Sequence, residues 1–323
     1  MPSLIETLLV GFGRFGKEHL LAWEATGRAQ ISAIVDPTLT IAVLSPDCQR
    51  SIPVFASIAE IPANIHFDAA AIVTPFSTHK EIAKALIRRG IPCLIEKPFA
   101  STISDCEEIL SEAERLKVFC MPGHILRFSE THYGIRARME ESGFPRSRLT
   151  LRRDRSEALL SLHPGVHPAL LTGIHDIDLA VWFTNSKAVL VSAKHNVVNG
   201  VCVNFEAEIR HANESWAIIS GAYNLPKQRL NSVSDEIKII NSENQVVAKF
   251  VDHSLGHDTE PEINQNLVNE VDHFLDVILG FTDKSRVAPS DAVHCAAVVE
   301  TIIKSAMLEG QTLDVPKSGL TWS

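Results

Sequence analysis

Leu8-Leu9-Val10-Gly11-Phe12-Gly13-Arg14-Phe15-Gly16 is the stretch whose reading decides the fold. A short apolar run enters a G-x-G-x-x-G turn, and a helical pattern (Phe15, Leu20, Trp23) leaves it. Each glycine has a distinct task in such a turn. Gly11 permits the tight bend, Gly13 lets the backbone approach a pyrophosphate, and Gly16 lets helix and strand pack closely. An anion is then favoured at the helix N-terminus, where amides and the helix dipole point at it. Asp36 follows Gly16 by 20 residues, at the end of the next apolar run. A carboxylate there accepts from the adenosine ribose hydroxyls and repels a 2′-phosphate, so NAD is expected over NADP.

Working outward, apolar runs at 8–10, 31–35, 70–73, 93–95 and 119–121 are continuous rather than alternating. That is the pattern of parallel strands covered on both faces. Helical patterns lie between them. Thr78 with Glu81, and Ser104 with Glu107, read as capping boxes. Their expected inward stripes are Ile82, Ala85 and Leu86, and Ile109, Leu110, Ala113 and Leu116. Gly90 sits where a helix end wants a left-handed residue. Strand–helix alternation predicts a doubly wound α/β sheet, a Rossmann domain over residues 1–122.

Beyond residue 122 the pattern changes. A helix-like stretch at 169–183 precedes strand candidates at 188–195, 201–210, 215–223, 236–240 and 246–251. Short turns such as Asn199-Gly200 and Ala212-Asn213 join them, which predicts an antiparallel meander. Amphipathic helices at 263–279 and 290–308 follow. Residues 123–323 are therefore expected to form an α+β domain with a large open, mainly antiparallel sheet for substrate binding and oligomerisation. An uncovered apolar sheet face is a liability, so a homodimer or homotetramer is expected through that face.

Composition excludes several classes. The chain has 323 residues, 45% hydrophobic and 21% charged, ordinary values for a globular enzyme. No apolar run reaches the roughly 18 residues of a membrane span, and the N-terminus does not read as a signal peptide; no membrane partner and a cytoplasmic location are expected. The net charge of −9 and the lack of a basic stripe argue against nucleic acid. Cys48, Cys93, Cys106, Cys120, Cys202 and Cys295 include no C-x-x-C pair, so no metal site is expected.

Four further segments carry a family resemblance. They are Val73-Thr74-Pro75-Phe76-Ser77-Thr78-His79, Glu96-Lys97-Pro98, Gly123-His124-Ile125-Leu126-Arg127-Phe128 and Gly173-Ile174-His175-Asp176-Ile177-Asp178. With the glycine turn they resemble the glucose–fructose oxidoreductase / inositol dehydrogenase (Gfo/Idh/MocA) family, over nearly the whole chain. The resemblance implies hydride transfer between a nicotinamide and a secondary carbinol of a sugar or cyclitol. It makes Gly11, Phe12, Gly13, Arg14, Phe15, Gly16, Asp36, Thr74, Pro75, His79, Glu96 and Lys97 the expected NAD site. It also carries the catalytic roles to Lys97 and His175. The chemistry is apt, since a histidine titrating near neutrality can take the hydroxyl proton and a lysine ammonium steadies developing alkoxide character.

Two positions depart from the family pattern. Leu171 stands where many relatives have an aspartate one turn before the histidine, so Asp178 is an alternative partner for His175. Phe76 replaces an asparagine of the T-P-N motif. His124, Arg127, His163 and His167 are candidate substrate contacts. For His163 and His167 a structural role is the alternative, and for Arg127 a salt bridge at the domain junction. The pairing of residues 123–128 with 173–178 looks like the subgroup oxidising carbon 3 of UDP-N-acetylglucosamine. Arg127 with Arg152, Arg153 and Arg155 would supply positive potential for its phosphates. An inositol or free-sugar dehydrogenase is the alternative. A non-catalytic NAD-binding regulator is a third reading, disfavoured because such a module has no need of Lys97 and His175.

Overall fold

The computed structural model describes residues 4–39, 43–44, 51–227, 232–254 and 263–317. Cys48 lies outside them. The first sheet is built from β1 (Ile5–Val10), β2 (Ala29–Val35), β5 (Val54–Phe55), β6 (Ala69–Ile72), β7 (Cys93–Glu96) and β8 (Cys120–Gly123), with β3 (Val43–Leu44) and β4 (Ser51–Ile52) forming a separate short ribbon. The six strands are parallel, in the order β5-β2-β1-β6-β7-β8. The order reverses between β1 and β6, the switch point where ligands of open α/β sheets bind. Crossover helices are α1 (Arg14–Ala25), α2 (His79–Arg88) and α3 (Ile103–Leu116).

Both expected capping boxes are replaced. Thr78 does precede α2, but its hydroxyl donates to the Pro75 carbonyl and sits 2.8 Å from the Thr74 hydroxyl, so it does not cap. α3 begins earlier than expected: Thr102, not Ser104, is the cap and accepts from the Asp105 amide. The buried stripes shift accordingly. Ala83, Leu86 and Ile87 face inward on α2, and Leu116 at the end of α3 is exposed. Gly90 is left-handed as expected, at φ +75°.

The second sheet contains β9 (Ser147–Ser156), β10 (Ala188–Val198), β11 (Val201–His211), β12 (Trp216–Leu225), β13 (Val233–Asn241), β14 (Val246–Ser254) and β15 (Leu313–Asp314). Its order is β14-β13-β9-β12-β11-β10-β15. The expected simple meander is corrected here. β9 inserts between β12 and β13 and runs parallel to β12, all other pairs being antiparallel. Helices α4 (Glu130–Glu141), α5 (Ala158–Leu162) and α6 (Ile174–Thr184) belong with this sheet, α6 following a π-turn at Ala169–Gly173. The open face is less apolar than expected. Arg148, Thr150, Arg152, Glu206, Glu208 and Arg210 dominate its middle, with Trp216 and Ile218 among them and Val246 and Val251 at its edge as exposed apolar residues.

The chain then forms α7 (Gln265–Ile278) and α8 (Pro289–Met307). Two compact units result: the described residues of Met1–Ser129 with Glu260–Ala292, and those of Glu130–Thr259 with Val293–Ser323. The division is therefore not a single cut near 122. Val271, Phe274, Leu275 and Val287 enter the same core as Leu9, Trp23, Ile31 and Leu94. The Phe274 ring lies 5.8 Å from Trp23 and 5.9 Å from Phe119, centroid to centroid. An amphipathic stripe at 263–279 says that a helix buries one face, not which core it joins.

Candidate active site

In the first unit the glycine turn is shaped as a pyrophosphate cradle. Gly11 has φ +95°, and a Cβ there would meet the Val73 carbonyl oxygen at 2.7 Å. A Cβ on Gly16 would lie 2.3 Å from the Gly11 oxygen, so helix and turn touch only because Gly16 lacks a side chain. Gly13 differs: a Cβ there meets nothing within 4 Å and would project into the cradle's open space. No side chain caps α1, and its first turn has no acidic residue. These features fit a dinucleotide phosphate.

Asp36 is held in place by the chain itself. One carboxylate oxygen accepts from the Phe12 amide at 2.7 Å, the other from the Thr38 amide at 2.8 Å and hydroxyl at 2.6 Å. Burial pushes its carboxyl up, but the bonds from Thr38 and Phe12 outweigh this and hold it below the usual carboxylate range. A fixed negative charge thus ends β2.

Lys97 follows β7 at the carboxyl edge of the sheet and is half-buried, with a cis bond to Pro98. Its neighbours act behind it. Glu96 is buried; one oxygen accepts from the Lys97 amide at 3.2 Å and the other lies 3.2 Å from His19 Nε2. Gly123 leaves room for this carboxylate, since a Cβ there would sit 2.9 Å from Glu96 Oε1. His79 is likewise buried, at 1% exposure. Its Nδ1 faces the Pro98 and Phe99 carbonyls at 3.0 and 3.3 Å, and its Nε2 faces the Thr74 carbonyl at 2.8 Å. His79 therefore joins the Thr74-Pro75 loop to the loop after Lys97. Its pKa is lowered, chiefly by burial, against the opposing pull of Thr74 and Glu96. Phe76 is half-buried in the turn before α2.

His19 escaped the sequence reading. Its signal was present, since a polar residue three after Gly16 falls on the stripe that also buries Leu20 and Trp23.

His124 is buried in the turn after β8. Arg127 is 3% exposed; it forms a 2.8 Å ion pair with Asp291 and donates to the Arg286 carbonyl at 3.0 Å. The salt-bridge alternative thus describes it, although the partner lies within its own unit.

In the second unit α6 carries His175, half-buried, and Asp178, buried with the Cys295 thiol 3.9 Å from Oδ1. Asp176 anchors the helix. Arg153 Nε and Nη2 donate to its two oxygens at 3.0 and 2.8 Å, and Arg153 Nη1 donates to Asp235 at 2.8 Å. Burial pushes the Asp176 carboxyl up, against the opposing pull of the bidentate Arg153 guanidinium. Arg155 also pairs with Asp235, and Arg152 with Asp154. The expected basic cluster is thereby corrected: its charges are matched by carboxylates. Leu171 lies in the π-turn before α6. His163 ends α5, and His167 stands 3.2 Å from His195.

The first unit's parallel sheet, with this cradle at its switch point and a fixed carboxylate ending its second strand, defines a dinucleotide-binding Rossmann protein. Residues 5–124 match the family model described as "Oxidoreductase family, NAD-binding Rossmann fold". Over this unit the chain is similar to the Gfo/Idh/MocA family, and its cofactor is NAD. Among similar proteins, UDP-N-acetylglucosamine 3-dehydrogenase of Acidithiobacillus ferrooxidans is 28% identical over 195 residues, 58% of this chain and 57% of the relative. Inositol 2-dehydrogenase 2 of Saccharopolyspora erythraea is 27% identical over 196 residues, 57% of this chain and 55% of the relative. The matches thus span a little over half the length of these relatives. The fold is shared with scyllo-inositol dehydrogenase of Lactobacillus casei, solved with NAD(H) and scyllo-inositol. The TM-score is 0.82 at 16% identity, covering 97% of this chain and 99% of that one. No described helix is long and apolar enough to cross a membrane.

Proposed function

We propose that the protein is an NAD-dependent dehydrogenase that oxidises a secondary hydroxyl of a sugar-like substrate to a ketone. The observation that carries this reading is Lys97 at the carboxyl edge of β7, its backbone tied to Glu96, in the unit that holds the glycine cradle. NAD, when bound, supplies the hydride acceptor. Lys97 orients the substrate oxygen and steadies its developing negative charge, and His175 takes the hydroxyl proton. Glu96, His19 and His79 position Lys97 and the Thr74 loop without touching substrate.

For the substrate, the nucleotide-sugar reading (carbon 3 of UDP-N-acetylglucosamine) is supported by the Acidithiobacillus relative. The arginine pairing favours a second reading. Arg127, Arg153 and Arg155 are engaged by Asp291, Asp176 and Asp235, which leaves them less available to a diphosphate and suits a neutral inositol or free sugar. Incubation with NAD and a panel of UDP-N-acetylglucosamine, inositols and free hexoses, followed by NADH absorbance, separates the two. Cofactor binding without turnover of any of these would instead support a regulator. A homodimer or homotetramer formed through the open face of the second sheet completes the proposal; a stable monomer by light scattering at micromolar concentration would contradict it.

A further inference from the structure

The second unit gathers three side chains with soft or borderline donor atoms from three separate segments. His167 lies in the loop before the π-turn, His195 on β10 and Cys202 on β11. One donor atom from each lies within 4.8 Å of the other two. His167 Nε2 and His195 Nδ1 are 3.2 Å apart. Two nitrogens at Zn–N distances of about 2.0–2.1 Å span roughly 3.3 Å along a tetrahedral edge. The two rings are therefore already spaced for a shared cation. All three residues are only half-buried, so water can complete the coordination.

We propose that His167, His195 and Cys202 form a binding site for a zinc-class transition-metal ion. Two imidazoles and a thiolate suit Zn²⁺ and its neighbours and are poor ligands for Mg²⁺ or Ca²⁺, which take oxygen. The Ala169 amide donates to His167 Nδ1 at 3.1 Å, so the proton between the rings sits on His167 Nε2. The cation takes that place, the ring proton moves to Nδ1 at the cost of the Ala169 bond, and the thiol proton leaves to solvent. The metal would tie the loop leading into α6 to the β10–β11 hairpin, and so fix the entry to the helix that carries His175. This reassigns His167 from substrate contact to metal ligand. The histidines are 28 positions apart and on different elements, which explains why no motif announced the site.

The test is titration of the chelator-treated full-length protein with Co²⁺. The expected result is one equivalent bound, with tetrahedral d–d absorption, a sulfur-to-cobalt charge-transfer band and displacement by Zn²⁺. Cys202→Ser should abolish the charge-transfer band, and His195→Ala should weaken binding at least about tenfold, the smaller of the effects seen even for groups that merely support ligands. Cys106→Ser, on α3 of the first unit, should leave the band intact. Absence of the thiolate band in the wild type, or its survival in Cys202→Ser, overturns the proposal. Should a variant lose its native circular dichroism, wild-type alkylation decides. Zn²⁺ should protect Cys202 from iodoacetamide, and equal labelling with and without Zn²⁺ overturns the site.

Discussion

Arg153 and Asp176 face each other through two parallel hydrogen bonds, and both side chains are almost fully buried. Asp176 is the residue after His175, so the pair fixes α6 against β9 next to the proposed base. Removing Asp176 strips Arg153 of its bidentate partner and leaves it Asp235 alone, at a cost of up to about 3–5 kcal/mol, the scale for a broken buried pair. Asp176→Asn should therefore lower the unfolding free energy by that order and reduce turnover together. A double replacement, Arg153→Met with Asp176→Leu, should recover much of the stability. Denaturant unfolding checks both, and a neutral Asp176→Asn would contradict the assignment.

Asp36 is expected to set cofactor choice. Its carboxylate is oriented by Phe12 and Thr38, so Asp36→Ala should weaken NAD binding by roughly 1–3 kcal/mol, the scale for bonds to a charged acceptor. Calorimetric titration with NAD and NADP reads this directly. A wild-type preference for NADP would remove Asp36 from the role.

Lys97→Ala and His175→Ala should each lower turnover by roughly two to four orders of magnitude, the span for acid–base groups. NAD affinity should barely change in either. Full activity in one variant would strip that residue of its proposed part.

Phe274 tests the discontinuous first unit. It packs on Trp23 and Phe119, and truncation of a buried phenylalanine costs about 3–5 kcal/mol. Phe274→Ala should thus destabilise the Rossmann unit although it lies far along the chain. If NAD no longer raised the melting temperature of this variant, loss of the cradle's support would be the reading. An unchanged melting temperature would refute the packing role.

His132 gives stability a pH dependence. Burial, then Arg153, pushes its pKa down to about 4 from an ordinary value of 6.5. The unfolded chain therefore binds this proton more readily than the fold does. Its contribution is complete above about pH 6.5 and is lost as pH falls toward 4, at most about 3 kcal/mol by linkage. His294, whose Nε2 accepts the Ala188 amide, titrates at about 4 through burial and acts with the same sign. Unfolding free energies measured between pH 7 and 4 should fall, and His132→Leu should flatten the slope. A slope unchanged by that variant would exclude His132 as its source.

Much of the first unit was readable because its signals are local. Gly11, Gly13, Gly16 and Asp36 have required spacings, and the buried parallel strands show as unbroken apolar runs. What stayed hidden depended on distant partners. Arg152, Arg153 and Arg155 read as positive potential for a diphosphate, yet on β9 Arg153 is buried and Arg155 half-buried, because Asp176 and Asp235 neutralise them. Arg127 could not be assigned before Asp291 was seen beside it. Thr102 outcompeted Ser104 as a cap, a choice between neighbouring hydroxyls that pattern alone does not make. Five strands of the second sheet were legible, but β9 and β15 were not, and strand patterns carry no information about which strand pairs with which.

The return of 263–287 to the first core has a consequence for synthesis. A nascent chain that has released Leu9, Trp23 and Leu94 still lacks Phe274, Leu275 and Val287, which complete the same cluster. The glycine cradle is thus made about 250 residues before the segment that completes its support. The second sheet waits longer still, because β15 at residues 313–314 pairs with β10. Neither unit can finish before residues well beyond 260 have been made, so the two mature almost together.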